Sequence, residues 1–315
     1  MRVVILFHAI LTASFFLVAI AAVAVAGPLD DAAVASGIGD YATALRLWRS
    51  LADQGDARAQ YNLGDMYTNG NGVPQNYAEA LKWYRFAADQ GDLEAQFALG
   101  FVYDAGYGVP QNDAEALEWY RLAADQGLLP AQLILGFRYA NGQGVPQNYE
   151  EARKWYRLAA IQGDRTAQYN LAVMYDNGRG VPENNVEALK WYRLAADQGN
   201  TRSQFRLRVL YADGHGVPQN DAEALKWYRR AADRGNALAQ YNLGVRYANG
   251  QGVTQDYGRA HLWFNLSAAR GNQEAVKNRD GVAQHMTPAQ IAEAQKLARA
   301  WRLQHAAVVG RSPDP

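Results

Sequence analysis

No cysteine occurs among the 315 residues. Without a thiol the chain can form no disulfide, hold no thiolate-bound metal, use no cysteine nucleophile and carry no acylated lipoprotein cysteine. Net charge is missing as well, because 31 basic side chains balance 31 acidic ones. Binding to nucleic-acid phosphates calls for a basic surplus, so nucleic acid is not an expected partner. There are five histidines, His8, His215, His261, His285 and His305, and no two have the His-Glu-x-x-His spacing of a zinc helix. None of Ser36, Ser50, Ser203, Ser267 or Ser312 is followed three residues later by lysine, so none begins a Ser-x-x-Lys acyl-transfer motif. Past residue 26 no apolar run is long enough to cross a bilayer.

The first 26 residues differ from the rest. Val3 to Ala26 is nearly all apolar, Arg2 gives it a positive start, and Ala24-Val25-Ala26 precedes Gly27-Pro28. This is the pattern of a secretory signal peptide cut after Ala26. Residues 3–26 are also long enough to remain as an inner-membrane anchor, and membrane association is expected only in that case. Either way the bulk of the chain is exported, with the periplasm as its expected location. Losing Arg2 changes the formal charge only from 0 to −1. Residues 27–39 follow as a short linker.

What remains is one unit written several times. Trp83, Trp119, Trp155, Trp191, Trp227 and Trp263 recur every 36 residues without an insertion. Gly91, Gly127, Gly163, Gly199 and Gly235 keep the same phase, as do the turns Gly72-Val73-Pro74 and Gly108-Val109-Pro110. A fixed period of this length marks a stacked repeat, in which each unit buries its apolar face on its neighbours. Two helices are predicted per unit. One begins at a capping box, Asn76 with Glu79, repeated as Asn112/Glu115, Asn148/Glu151, Asn184/Glu187 and Asn220/Glu223. The other runs from about Leu93 to Tyr103 and ends in the Gly106–Gly108 turn. Small residues such as Ala87, Ala88 and Gly100 allow close helix approach, which makes the tryptophan ladder mainly a packing feature.

The run Ala59-Gln60-Tyr61-Asn62-Leu63-Gly64, then Gly70-Asn71-Gly72-Val73-Pro74, then Ala80-Leu81-Lys82-Trp83-Tyr84 and Ala87-Ala88-Asp89-Gln90-Gly91, resembles the Sel-like repeat, a relative of the tetratricopeptide repeat. The resemblance spans units 56–91, 92–127, 128–163, 164–199, 200–235 and 236–271. It implies an all-α, right-handed α-solenoid serving protein–protein contacts, here covering residues 40–271. Residues 272–309 are expected to form capping helices. Thr287-Pro288-Ala289-Gln290 is a capping box opening a last helix with Ile291, Ala294, Ala298 and Trp301 on one face. The tail 310–315 is expected to be loose.

No catalytic constellation stands out. The Gly-x-Gly pairs recur in every unit and carry no following lysine, so they are turns rather than nucleotide loops. The carboxylates repeat with the units: Asp89, Asp125, Asp197 and Asp233 lie four residues after Arg85, Arg121, Arg193 and Arg229, the spacing of surface helix pairs. No metal, cofactor or enzyme activity is therefore expected. His215 occupies a variable loop position. Arg208 stands where other units have glycine or alanine; the expectation is local strain, relieved by Arg208→Gly with a higher thermal midpoint, or else a hinge or basic contact spot.

Surface positions supply the binding expectation. In tetratricopeptide-like stacks the first helix lines the concave groove. Taking the Asn76-type helix as first, Phe86, Leu122, Leu158, Leu194 and Arg230 form a track flanked by Lys82, Glu118, Lys154, Lys190 and Lys226. The track either packs into the core or holds a peptide segment of an envelope protein. Two rivals remain open at this level. One is a regulator, or less readily an enzyme, acting on peptidoglycan or polysaccharide; the other is direct glycan binding by exposed tryptophan or tyrosine rings.

Overall fold

The computed structural model describes residues 27–214 and 218–309. The expected signal segment 1–26, His215 and the tail from Gly310 lie outside the described residues. Among those described there are sixteen helices and no strand. Two kinds alternate. The leucine helices are α3 (Ala57–Asn69), α5 (Leu93–Ala105), α7 (Leu129–Asn141), α9 (Arg165–Asp176), α11 (Thr201–Asp213) and α13 (Ala237–Asn249). They carry the fully buried Leu63, Leu99, Leu135, Leu171, Leu207 and Leu243. The tryptophan helices are α4 (Tyr77–Asp89), α6 (Asp113–Asp125), α8 (Tyr149–Ile161), α10 (Asn185–Asp197), α12 (Asp221–Asp233) and α14 (Tyr257–Ala268). At the ends stand α1 (Pro28–Gly37), α2 (Tyr41–Asp53), α15 (Gln273–Ala283) and α16 (Pro288–Val309).

The helices form two compact units, one reaching Trp119 and one starting at Tyr120. In the first, Ala44, Trp48, Ala59 and Leu63 share one core cluster and Ala80, Tyr84, Ala87, Ala95 and Leu99 another. In the second, Ala188, Tyr192, Leu207, Tyr228 and Leu243 pack together, with Ala260, Phe264 and Ala275 beyond them. Small residues do permit close approach. A Cβ on Gly64 would stand 2.6 Å from the Tyr84 ring, and one on Gly136 would stand 2.6 Å from the Tyr156 ring. A leucine helix usually stops at a glycine in the left-handed region, such as Gly106 at φ 70°.

The asparagine capping boxes are only half formed. Asn148 Oδ1 accepts the Glu151 N–H at 3.1 Å, but the Asn148 N–H donates to the Tyr139 carbonyl at 2.8 Å. The same backbone bond joins Asn76 to Tyr67 and Asn220 to Tyr211. With that N–H engaged, the glutamate turns outward: Glu151, Glu187 and Glu223 pair with Lys154, Lys190 and Lys226. Thr287 and Gln290 do form the reciprocal box, at 2.8 and 3.3 Å.

Two more expectations need correction. Residues 27–39 are not a bare linker, since α1 occupies most of them. Pro28 opens it, the Asp30 carboxylate accepts the Gly27 N–H at 3.2 Å, and Ala32 and Ala35 are buried in the α2 cluster. The arginine–aspartate helix pairs are also not general. Arg85 meets Asp89 at 3.9 Å, whereas Arg193 reaches Glu223 at 3.4 Å and Asp197 receives Arg230 at 2.6 Å. Longer side chains thus link successive repeats. At the C-terminus α16 packs on α14, burying Ala294 and Ala298 and setting Trp301 edge-on to Trp263 at 6.1 Å.

Candidate functional site

The ten surface residues singled out from the sequence are all exposed. Phe86, Leu122, Leu158 and Leu194 are each nearly half accessible, so they are surface and not core. Lys82 sits 5.7 Å from the Trp83 ring, while Lys154, Lys190 and Lys226 are held by glutamates. Arg230 stacks over Trp227 at 4.8 Å as well as pairing with Asp197. Glu118 is exposed on α6.

The second unit contains a cleft of about 1180 Å³ that none of these ten residues lines. α8 and α12 each give two residues to its wall and α13 one, but the wall is built chiefly from the leucine helices α7, α9 and α11. Each buries its leucine on one side and turns the opposite side outward, which leaves Phe137, Tyr169 and Phe205 facing the cleft. The N-terminal residues of α9 and α11, Arg165, Thr166, Thr201 and Arg202, also line it. Orphan backbone N–H groups and the positive end of the helix dipole lie at such termini.

Charge in the cleft is one-sided. Arg165, Arg179, Arg202, Arg208, Arg234 and Arg270 line it, and no aspartate or glutamate does. None of the six belongs to an ion pair among the described residues, although Arg193, Arg206, Arg230 and Arg246 elsewhere in this unit all do. Arg179 leans on the Tyr149 ring at 5.6 Å. The Arg208 guanidinium lies 3.9 Å from the Phe205 ring and 4.8 Å from the Tyr228 ring, with its Nε buried and unpartnered. Burial, with a smaller part from neighbouring Arg246, lowers the Arg208 pKa below the usual arginine value.

A glutamine ladder explains why two of these arginines are free. Gln132, Gln168, Gln204 and Gln240 donate to the carbonyls of Ala124, Ala160, Ala196 and Ala232. Gln162 then donates to Gln132 Oε1 at 2.8 Å, and Gln198 to Gln168 Oε1 at 2.9 Å, each from 30 residues further on. In the next two copies the donor is replaced by Arg234 and Arg270. Gln204 Oε1 and Gln240 Oε1 are accordingly buried without a partner. Gln204 is itself part of the cleft wall.

The sequence singles out Arg208 but not the cluster around it. The usable signal was arginine replacing the repeat residue at several different phases within residues 165–270. The tryptophans, by contrast, are packing residues: all eight are buried or half-buried. Among the described residues no group of three or more histidines or carboxylates could hold a metal, and no helix is long and apolar enough to cross a membrane.

Tandem two-helix units, interlocked by small residues and inter-repeat hydrogen bonds, define an α-solenoid of the tetratricopeptide-like class. More particularly, the chain belongs to the Sel1 repeat family, which matches residues 36–56, 57–92, 93–128, 129–164, 166–200, 201–236 and 237–272. The first of the seven matches covers only part of a repeat. In this phase the leucine helix comes first in each unit. The rule that first helices line the groove therefore selects α7, α9, α11 and α13, and the ten residues lie on second helices.

The similar solved structures include two that share more than 30% identity with the chain. One is c5321, a protective antigen present in uropathogenic Escherichia coli strains displaying an SLR fold. It shares 39% identity at a TM-score of 0.65, and the match covers 84% of this chain but 56% of that one, so this chain spans little more than half its length. The other is a Sel1 repeat protein from Oxalobacter formigenes, with 33% identity, a TM-score of 0.63, and 76% and 98% coverage of the two chains. No curated protein matches the chain. Sel1 repeat proteins generally serve as non-catalytic scaffolds for protein interaction.

Proposed function

We propose that the chain is an exported scaffold, without catalytic activity of its own, that holds a segment of a partner protein in the cleft of its second unit. The observation that carries this reading is the cleft: a uniform repeat frame whose inner wall has been given unpaired side chains and exposed rings. Repeat surfaces of this kind bind extended or helical segments without moving, because the frame is already ordered. Export is supported by the apolar first 26 residues and their small-residue cleavage site. Burial of the tryptophan rings disfavours a glycan platform built on them.

The reading is checked by placing a photo-crosslinking residue at Phe205 in the cleft and, separately, at Leu194 on α10. A defined protein adduct from the envelope fraction at Phe205, and none at Leu194, is expected. Adducts at Leu194 alone would move the binding face to the tryptophan helices. Alkaline phosphatase fused after residue 40 should be active if the chain is exported, and inactivity would end the export proposal.

A further inference from the structure

The cleft also indicates what kind of segment it takes. We propose that it selects an acidic, extended polypeptide whose carboxylates meet Arg165, Arg202, Arg234 and Arg270 and whose apolar side chains rest on the exposed rings between them. The inference rests on the segment-binding reading above and goes beyond it by naming the partner's chemistry.

Three independent observations converge. First, six arginines and no carboxylate line the cleft of a chain whose formal charge is zero. The cluster is local and does not follow from overall composition. It is also not a property of the repeat, because the equivalents of Arg165 are alanine, leucine or threonine and those of Arg234 are glutamine in earlier units. Guanidinium groups suit carboxylates through paired N–H donors, and an unpaired cluster attracts acidic partners over a distance.

Second, the glutamine ladder is broken where the cleft arginines stand. Gln204 is only 1% exposed, its Nε2 is fixed on the Ala196 carbonyl at 2.9 Å, and its Oε1 has no partner. Exchanging the two ends of the amide would set oxygen against carbonyl, so the orientation is determined. In preceding copies a glutamine just past the second helix of the same unit satisfies this oxygen. Here Arg234 lies across Gly199 instead, with a guanidinium nitrogen 3.4 Å from the place a Cβ would take. The guanidinium that replaces the ladder donor is thus left without a carboxylate partner at the cleft lining. An acidic polypeptide presents carboxylates and apolar side chains together, whereas simple phosphates have nothing to place on the exposed rings of Phe137 and Phe205.

Third, apolar surface accompanies the charge. Phe205 is 45% exposed and Phe137 52%, and both are within the cleft lining. Aromatic faces between cationic groups accept apolar or aromatic side chains that alternate with acidic ones.

The test measures binding of the full chain to fluorescein-labelled decapeptides by fluorescence anisotropy. One alternates glutamate with tyrosine and the other glutamine with tyrosine. The acidic peptide should bind at least about tenfold more tightly at about 50 mM salt, the difference shrinking toward about 500 mM. Arg234→Gln rebuilds the ladder bond to Gln204, so it should weaken acidic-peptide binding severalfold while raising the thermal midpoint. That combination separates lost recognition from lost folding. Equal binding of both peptides would overturn the acidic preference and leave segment capture standing. Failure of both peptides, with heparin bound instead, would overturn this inference together with the segment-binding reading in favour of an anionic polysaccharide. Failure of all three probes would overturn it outright.

Discussion

At the scale of single residues, Arg208 sets two effects against each other. Its stacking on Phe205 and Tyr228 contributes about 0.5–1 kcal/mol per ring. Against this stand a buried Nε without a partner, costing about 1–3 kcal/mol, and a desolvated charge near Arg246. Relief of the second group outweighs loss of the first. Arg208→Ala, the residue found at Ala172, should raise the thermal midpoint by about 2–4 °C. Arg208→Gly should gain less, because glycine inside a helix costs about 1 kcal/mol relative to alanine. Calorimetry showing an unchanged or lower midpoint for both variants would sink the argument. His261 gives a pH test. It is 2% exposed, its Nδ1 has no partner, and burial first, then Arg279, lowers its pKa, with Asp280 opposing. The unfolded imidazole titrates near pH 6.5, at about its ordinary value. Between that pH and the lower folded value the unfolded state holds more protons, so stability falls as pH drops through the window. His261→Leu, matching Leu225 one repeat earlier, should remove this loss. Its advantage in thermal midpoint over the parent should therefore be larger at about pH 5 than at about pH 8.

At the scale of helices, the half-formed caps yield a contrast that a full capping box would not. The Asn148 side chain satisfies an orphan N–H, whereas Glu151 binds only an exposed lysine. Asn148→Ala should cost about 1 kcal/mol, and Glu151→Gln less than about 0.5 kcal/mol. Equal losses in urea titrations would show that the glutamate reaches the cap after all. Much of this level was legible in the sequence. Glycine and asparagine positions mark helix ends because they act on the backbone locally, and the 36-residue period marks the stack. The destination of the Asn148 N–H was not legible, since it bonds to Tyr139, nine residues back across a turn. Nor was α1, whose alanines become apolar-face residues only once α2 is there to cover them. The candidate site was the least legible. Residues such as Arg234 look like tolerated surface substitutions until the missing glutamine and its abandoned partner Gln204 are placed together.

At the scale of the molecule, neutrality of the whole hides an uneven distribution. Elsewhere in the second unit arginines pair across repeats, as Arg193 does with Glu223 and Arg246 with Asp221 at 2.7 Å. The cleft arginines have no such partners, so their mutual repulsion is carried by the folded state and not by the extended chain. Screening should reveal it. With a Debye length of about 10 Å at 0.1 M salt, repulsion across the cleft is damped at moderate ionic strength, while close exposed pairs lose only their small contribution. Replacing Arg202, Arg234 and Arg270 together by glutamine removes half of the cluster, and in two cases restores the ladder residue of earlier repeats. The triple variant should unfold at a higher temperature than the parent at about 20 mM salt, and that gap should narrow by about 300 mM as added ions damp the parent's repulsion. A remaining gap at high salt would measure the rebuilt glutamine bonds, which screening does not touch. A gap independent of salt would mean that the arginines do not repel one another, and that the cleft stores no charge for an acidic partner to relieve.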